Sequence, residues 1–214
     1  HRRALRSTLR SAAVVNEDRT RSLVEAASRG DAPAIDELIR RHLPRLRAYV
    51  RLRMGQALRL REGSMDIVQS VCRELIEHLD EFRYEGENQF LGWLFTTALN
   101  KVREKQRFHR RECRNPQQEA ALDLSDAEDL AAIAHWLTPS RDAAGREKLV
   151  LLDRAFQDLP DEYREVIALA RIVGLSHKEI AARMDRTEAA ARKLLGRALA
   201  RLGELLGDDG RVTA

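Results

Sequence analysis

The sequence predicts an all-α protein, built as two small helical domains joined by a linker. Three observations carry that expectation. Charged residues make up 34% of the 214 positions and aromatics only 5%, a helix-forming mixture short of the residues that fill sheets. Apolar residues recur at helical spacing in long runs, and nothing alternates with the period of a strand. Charge is also segregated: residues 1–110 carry a net +7, residues 111–145 a net −4 and residues 146–214 a net +1. Two neutral-to-basic blocks therefore flank an acidic connector. With 43% hydrophobic residues, a buried core is expected and wholesale disorder is not.

Taken in order, residues 1–22 are Arg-rich with little periodicity and read as a basic, flexible extension. Asp31 suits the N-cap of a helix carrying Ile35, Leu38, Ile39, Leu43, Leu46 and Val50, which Pro44 should kink or interrupt. A second helix is expected from about Asp66 to Phe82. Ile67, Val68, Val71, Cys72, Leu75, Ile76, Leu79 and Phe82 make its apolar stripe, and Asp66, Gln69, Arg73, Glu77 and Asp80 line a polar strip beside it. A third helix follows from about Gln89 to Arg110, apolar at first (Phe90, Leu91, Trp93, Leu94, Phe95) and then basic (Lys101, Arg103, Lys105, Arg107, Arg110, Arg111). The domain so formed spans 23–110. Residues 111–145, with Pro116, Pro139, Gly145 and the acidic excess, read as a linker that includes a short helix over Ala127–Leu137.

The last block, 146–207, is punctuated more sharply, with 208–214 as a tail. Pro160, Asp161 and Glu162 suit a helix start, where acids favour the dipole. Val166, Ile167, Leu169, Ala170 and Val173 give that helix a buried face, and Gly174 can take the left-handed conformation that ends it. Ser176 and Glu179 then form a capping box for a short helix with Ile180, Ala181 and Met184 inward. Asp185-Arg186 makes a tight turn, and Thr187 caps a final helix to about Leu206. Helix, tight turn, helix is a helix-turn-helix, whose last helix would lie in the DNA major groove. Its buried stripe would be Ala191, Leu194, Leu195, Ala198, Leu199 and Leu202. Arg192, Lys193 and Arg197 stand outside it, where phosphates and base edges are reachable. An ordinary helical hairpin with solvated cations would show the same periodicity. Phe90 and Trp93, with Asn88, Gln89 and Asn100 nearby, read first as core residues, with a stacking surface for single-stranded bases as the alternative.

Several classes are excluded by what is missing. The longest uncharged stretch, Asn88 to Asn100, has 13 residues, against about 20 for a membrane span. Ser11–Asn16 is too short and polar for a signal-peptide core, so a soluble, cytoplasmic protein without membrane insertion is expected. Cys72 and Cys113 are too few for a disulfide framework, and Cys72 reads as a buried free thiol. His109 and Cys113 lack further zinc ligands. Glu74, Glu77 and His78 lack the paired Glu-x-x-His pattern of carboxylate-bridged metals. No nucleophile elbow, Gly-rich phosphate loop or His-Glu-x-x-His occurs. Catalysis, metal and cofactor are not expected.

Two runs resemble a known family. Asp66-Ile-Val-Gln-Ser-Val, His78-Leu-Asp-Glu-Phe82 and Phe90-Leu-Gly-Trp-Leu94 with Asn100 are similar to the second conserved region of bacterial RNA polymerase sigma factors. Leu159-Pro-Asp-Glu-Tyr-Arg-Glu-Val166, Gly174-Leu-Ser-His-Lys-Glu-Ile-Ala-Ala-Arg-Met184 and Arg197-Ala-Leu-Ala-Arg-Leu202 resemble their fourth region. Both regions in order, with a short linker, resemble the extracytoplasmic-function group of the sigma-70 family over about residues 23–207.

The resemblance implies a transcription initiation factor. Asp66, Gln69, Arg73 and Glu77 would then dock on the β′ clamp helices of core RNA polymerase, with the β subunit a further partner. Asn88, Gln89, Phe90, Trp93, Asn100, Lys101 and Lys105 would hold the −10 element as single-stranded DNA, with a flipped base nucleating melting. His177, Lys178, Thr187, Glu188, Arg192, Lys193 and Arg197 would read the −35 element as duplex. An anti-sigma protein is expected from the family, though the acidic linker could instead provide self-regulation. The rival reading is a helix-turn-helix regulator with an N-terminal sensor domain, which would have no reason to carry the 66–105 block. Departures from the family pattern include Asp185 at a position usually held by Gly, Ala191 where a β-branched residue is common, and Gln89 where a small hydroxyl residue is frequent. Gly196 and Gly203 are expected to weaken the recognition helix.

Overall fold

Helix α1, residues 18–27, begins inside the Arg-rich stretch read as an extension. Thr20, Val24 and Ala27 fall on one helical face and are buried, while Arg21 lies over the Tyr84 ring and Arg19 pairs with Glu37. That face is short and interrupted by arginines, so its periodicity was masked. The structure is a computed structural model that describes residues 18–112 and 146–212. Residues 1–17, most of the acidic connector and its expected helix over 127–137 lie outside the described residues.

Helix α2, Ala32–Arg53, starts where expected: Asp31 Oδ1 accepts the Ala34 N–H at 3.1 Å. It runs on through Pro44 without interruption. Pro44 forfeits one backbone hydrogen bond, but Leu38, Leu46, Tyr49 and Val50 on either side are fully packed, and tertiary burial outweighs the local defect. A single turn, α3 (Gln56–Arg59), leads to α4, Ser64–Glu77. Helix α4 stops short of the expected Phe82. Glu77, Asp80 and Glu81 crowd its C-terminal end, where negative charge opposes the dipole. Leu79 still reaches the core from the following turn. Helix α5, Glu87–Glu112, is longer than expected and buries Phe90, Leu91, Leu94, Phe95, Ala98, Leu99 and Val102.

In the C-terminal half, α6 (Arg146–Gln157) is followed by α7 (Asp161–Ile167). The chain then widens into a π-helical turn, Ala168–Val173, before Gly174 ends it at φ 82°. The widening was not legible from spacing. It lets Ala168, Leu169, Ile172 and Val173 all be buried, with the Leu175 N–H returning to the Leu169 carbonyl at 3.0 Å. Helix α8, His177–Arg183, carries the full capping box: Ser176 Oγ accepts from the Glu179 N–H, and Glu179 Oε2 accepts from the Ser176 N–H at 2.8 Å. Asp185 takes the left-handed turn at φ 52°, which an Asp tolerates better than most side chains. Thr187 Oγ1 then accepts the Ala190 N–H and starts α9, Glu188–Val212.

The described residues are all-helical, as expected, with a helix-turn-helix in the second half. The two halves are not independent beads, however. Helix α2 packs against α6, α7 and the π-helical turn, and the buried apolar residues of both halves form one continuous cluster.

Within that cluster His42 is unusual. It is 5% exposed, its Nε2 has no hydrogen-bond partner, and it sits against the Phe90 ring at 5.2 Å. Burial, with the neighbouring Arg41 and Arg45 cations, lowers its pKa to about 4. The folded state therefore keeps His42 neutral where the unfolded chain protonates it near pH 6.5. Its contribution to stability is fully present above about pH 6.5 and is lost as pH falls toward about 4, up to roughly 3 kcal/mol. Urea denaturation at stepped pH should show this decline, and His42→Leu should flatten it between those limits. A parallel decline in the variant would remove His42 as the cause.

Candidate polymerase and promoter interfaces

Three exposed faces stand on this scaffold. On α4 the apolar stripe turns Ile67, Val68, Val71 and Leu75 inward, which forces Asp66, Gln69, Arg73 and Glu77 outward at helical spacing. All four are exposed. Ile76, at 45% exposure one of two large apolar side chains left in water among the described residues, stands beside them. The sequence placed Ile76 in the buried stripe. The structure corrects this: the buried line runs through Val68, Val71, Leu75 and Leu79, and Ile76 falls one position off it. Cys72 from the same stripe is half-buried, and burial raises its thiol pKa.

The second face belongs to α5. Phe90 is wholly buried, so it cannot itself stack on a base. It packs on Phe82 at 5.8 Å, and Phe82 in turn stacks on Trp93 at 4.7 Å with the rings 19° apart. Trp93 keeps part of its surface open. The sequence thus named Phe90 for a contact that only Trp93 has the exposure to make, and it missed Phe82, which braces Trp93 from behind. Asn88 and Asn100 are exposed. Gln89 is exposed too, but it is already engaged with the preceding turn: its Oε1 accepts the Glu85 N–H at 2.9 Å and its Nε2 donates to the Glu85 carboxylate.

Lys101 and Lys105 point away from this face. Lys101 bonds Glu74 of α4 at 2.9 Å and Glu104 at 3.3 Å, and the Glu74 bond raises its pKa. Lys105 bonds Glu62 at 2.8 Å, and His109 meets the same carboxylate at 3.0 Å. Burial alone would raise the Glu62 pKa, but these two bonds outweigh it and lower it. Both lysines thus tether α5 to the rest of the N-terminal half. The cations that share a face with Trp93, Thr96 and Asn100 are Arg103, Arg107 and Arg111, all exposed. Counting three and four residues on from Asn100 finds them; choosing by proximity to Asn100 does not.

The third face is the helix-turn-helix. Ala191, Leu194, Ala198 and Leu202 are buried and Leu195 and Leu199 partly so, which leaves Thr187, Glu188, Arg192, Lys193 and Arg197 exposed. Arg192 donates to Glu188 at 3.1 Å. Lys193 and Arg197 line a groove of about 350 Å³ with Tyr163, Arg186 and Thr187. Lys178 is exposed on α8 and His177 half-buried. Among the described residues no cluster of His, Cys, Asp and Glu could hold a metal, and no helix is long and apolar enough to cross a membrane.

Residues 38–112 match the sigma-70 region 2 family and residues 149–202 the sigma-70 region 4 family. The chain is 31% identical to the RNA polymerase sigma factor NccH of Alcaligenes xylosoxydans xylosoxydans, over 86% of this chain and 93% of that protein. It is also 31% identical to the RNA polymerase sigma factor CnrH of Cupriavidus metallidurans, over 90% of this chain and 97% of that one. Identity to the ECF RNA polymerase sigma factor SigD of Mycobacterium tuberculosis is 30%, over 86% of this chain and 82% of SigD. Among solved structures, CnrH in complex with the cytosolic domain of CnrY superposes with a TM-score of 0.57 at 27% identity, covering 89% of this chain and 99% of that one.

Proposed function

The chain belongs to the sigma-70 family of RNA polymerase sigma factors, in its extracytoplasmic-function group, and from that premise we propose a division of labour among its three faces. The protein is a transcription initiation factor that directs core RNA polymerase to promoters. In this reading α4 docks on the β′ clamp helices through Asp66, Gln69, Arg73 and Glu77. The Trp93–Asn100 face of α5 captures the −10 element as a single strand, and α9 reads the −35 element as duplex. A protein regulator that binds this chain, as the cytosolic domain of CnrY binds CnrH, belongs to the same proposal, as does a cytoplasmic location. RNA synthesis itself is left to polymerase.

The observation that carries the reading is the composition of the α5 face. A half-open Trp93 braced by Phe82 offers a stacking surface, Asn100 offers an edge-reading amide, and Arg103, Arg107 and Arg111 offer phosphate neutralisation. Unstacking a base costs a few kcal/mol, and stacking on an aromatic side chain returns about 1–3 kcal/mol. Such a face binds the extruded base and not the paired one, so it biases duplex toward opening. Asn88 and Gln89 sit at the start of the helix where the flipped base would be held; Gln89 must first release Glu85. A helix-turn-helix regulator with a sensor domain has no use for this face, and the region 2 match favours the initiation factor.

The test is transcription by core polymerase on a promoter library, with and without the protein. Initiation at a defined promoter class should appear only when the protein is added. Gln69→Ala with Arg73→Ala should weaken core binding about tenfold or more while leaving thermal stability near that of the parent, since both side chains are exposed and truncating interface anchors commonly costs more than 1 kcal/mol each. Unchanged affinity for core would remove α4 as the docking face.

For the duplex face, Lys193→Ala with Arg197→Ala should weaken −35 binding and reduce the slope of log affinity against log salt by about 2, close to 0.9 per lost phosphate contact. Fluorescence anisotropy across a salt series measures it. An unaltered slope would place the phosphate contacts elsewhere.

A further inference from the structure

One small cavity in the N-terminal half belongs to none of the three faces. It lies where α2, α4 and α5 meet, and its walls are leucines, Ile39 and Phe90, with two exceptions: His42 of α2 and Cys72 of α4. Its free volume is about 10 Å³, room for a guest of about one water molecule's size. His42 is 5% exposed, and its Nε2 finds no hydrogen-bond partner. A buried polar atom left unpaired is a standing cost to the fold. Phe90 packs on the imidazole at 5.2 Å between ring centroids and supplies no polar contact. Cys72 is a free, half-buried thiol, so the cavity is not sealed from solvent.

We infer that this cavity is a binding site for one soft monovalent metal ion, Cu(I), held between Cys72 Sγ and His42 Nε2. Four properties of the cavity select that guest. Size comes first: a bare ion fits where an organic ligand does not. Water fits too, but it needs two to four polar partners, and a thiol is a weak one. Donor type comes second, since thiolate selects soft ions and imidazole suits copper. Number comes third. Zn(II) takes three or four protein ligands, and among the described residues no group of three or more His, Cys, Asp and Glu stands together. Monovalent copper accepts a pair of ligands in line. Charge comes last and decides between the two. A thiolate and a monovalent ion cancel, so the complex is neutral in its apolar hole. A divalent ion would leave an unmatched positive charge out of water, beside Arg41 and Arg45, whose cations already bear on His42.

Binding is an exchange of a proton for the metal, with no change of oxidation state. Burial raises the Cys72 pKa, so the thiol starts protonated. The S–H bond breaks, its proton leaves to solvent, and the sulfur–copper bond forms. His42 is neutral above about pH 4 and offers the Nε2 lone pair when its ring proton sits on Nδ1. The site draws only on α2, α4 and α5, so it stands or falls apart from the proposed function.

The experiment uses the full chain with Cys113→Ser, which leaves Cys72 as its one cysteine. Cu(I) is delivered without oxygen as its bicinchoninate complex, whose colour fades as the ion transfers. One equivalent should transfer to this parent, and nitrogen-15 resonances of the imidazoles should show the His42 Nε2 signal shifted by the metal. Cys72→Ser should abolish the transfer. His42→Leu should weaken affinity at least tenfold, because even outer-shell partners of a bound metal are worth about ten- to a hundredfold. Zn(II) at equal concentration should not displace the copper. Should circular dichroism show His42→Leu unfolded, the His42 signal of the parent decides alone. No transfer to the parent, an unmoved His42 Nε2 signal, or undiminished affinity in a folded His42→Leu chain would each overturn the site. Displacement by Zn(II) would overturn its assignment to a monovalent ion.

Discussion

Helix α5 has to satisfy two environments along a single rigid rod, and most of the structure is arranged around that demand. One side packs Phe90, Leu94, Phe95, Ala98 and Val102 into the core with no measurable opening to solvent beyond 2%. The other side keeps Gln89, Thr96, Asn100, Arg103 and Arg107 in water. Trp93 sits on the seam between them, where its ring is supported by Phe82 yet reachable from outside. Aromatic pairs of this kind contribute about 0.5–1.5 kcal/mol beyond their area, enough to fix the ring without burying it. The lysines complete the arrangement by being spent inward. Lys101 to Glu74 and Lys105 to Glu62 pin the helix to α4 and to the turn after α3, so the outward face is held at a set rotation.

The sequence disclosed what is local. Caps are written in two to four adjacent residues, and Asp31, Ser176 with Glu179, Gly174 and Thr187 all perform as their types require. The buried stripe of α9 was likewise readable, since it repeats over four turns. What failed to show was anything decided by partners distant in the chain. Pro44 is carried through a helix because residues on both sides are packed by other elements. The end of α4 and the burial of Phe90 depend on how α2, α4 and α5 cross. Which basic residues of α5 face outward depends on where Glu62 and Glu74 lie, and nothing near Lys101 in sequence reports that. Contacts spanning 87 to 102 residues, such as Arg183 to Thr96 and Arg51 to Asp153, leave no local signature at all.

Arg51 shows why the contact between the halves is specific. A guanidinium with 3% exposure is tolerable only if its charge is met, and removing one partner of such a pair typically costs about 3–5 kcal/mol. Arg59 shares the same Asp153 oxygen and also donates to the Arg51 carbonyl at 2.9 Å, so the carboxylate organises two elements at once. A purely apolar contact between α2 and the π-helical turn could slide by a residue. A carboxylate held by two guanidiniums cannot slide without stranding a charge, so the docked arrangement has one register.

The two proposed promoter readers place unequal demands on the protein. Duplex reading by α9 needs cations on a stable helix, which bind any DNA weakly until base edges are matched. Strand capture by α5 needs an open aromatic next to arginines, and such a face binds single strands with little regard to sequence. Left permanently open, it would engage single-stranded nucleic acid wherever polymerase is absent. Arg183 bonds Thr96 in the middle of the proposed strand-capture face, while Arg192, Lys193 and Arg197 of the proposed duplex reader stand in solvent.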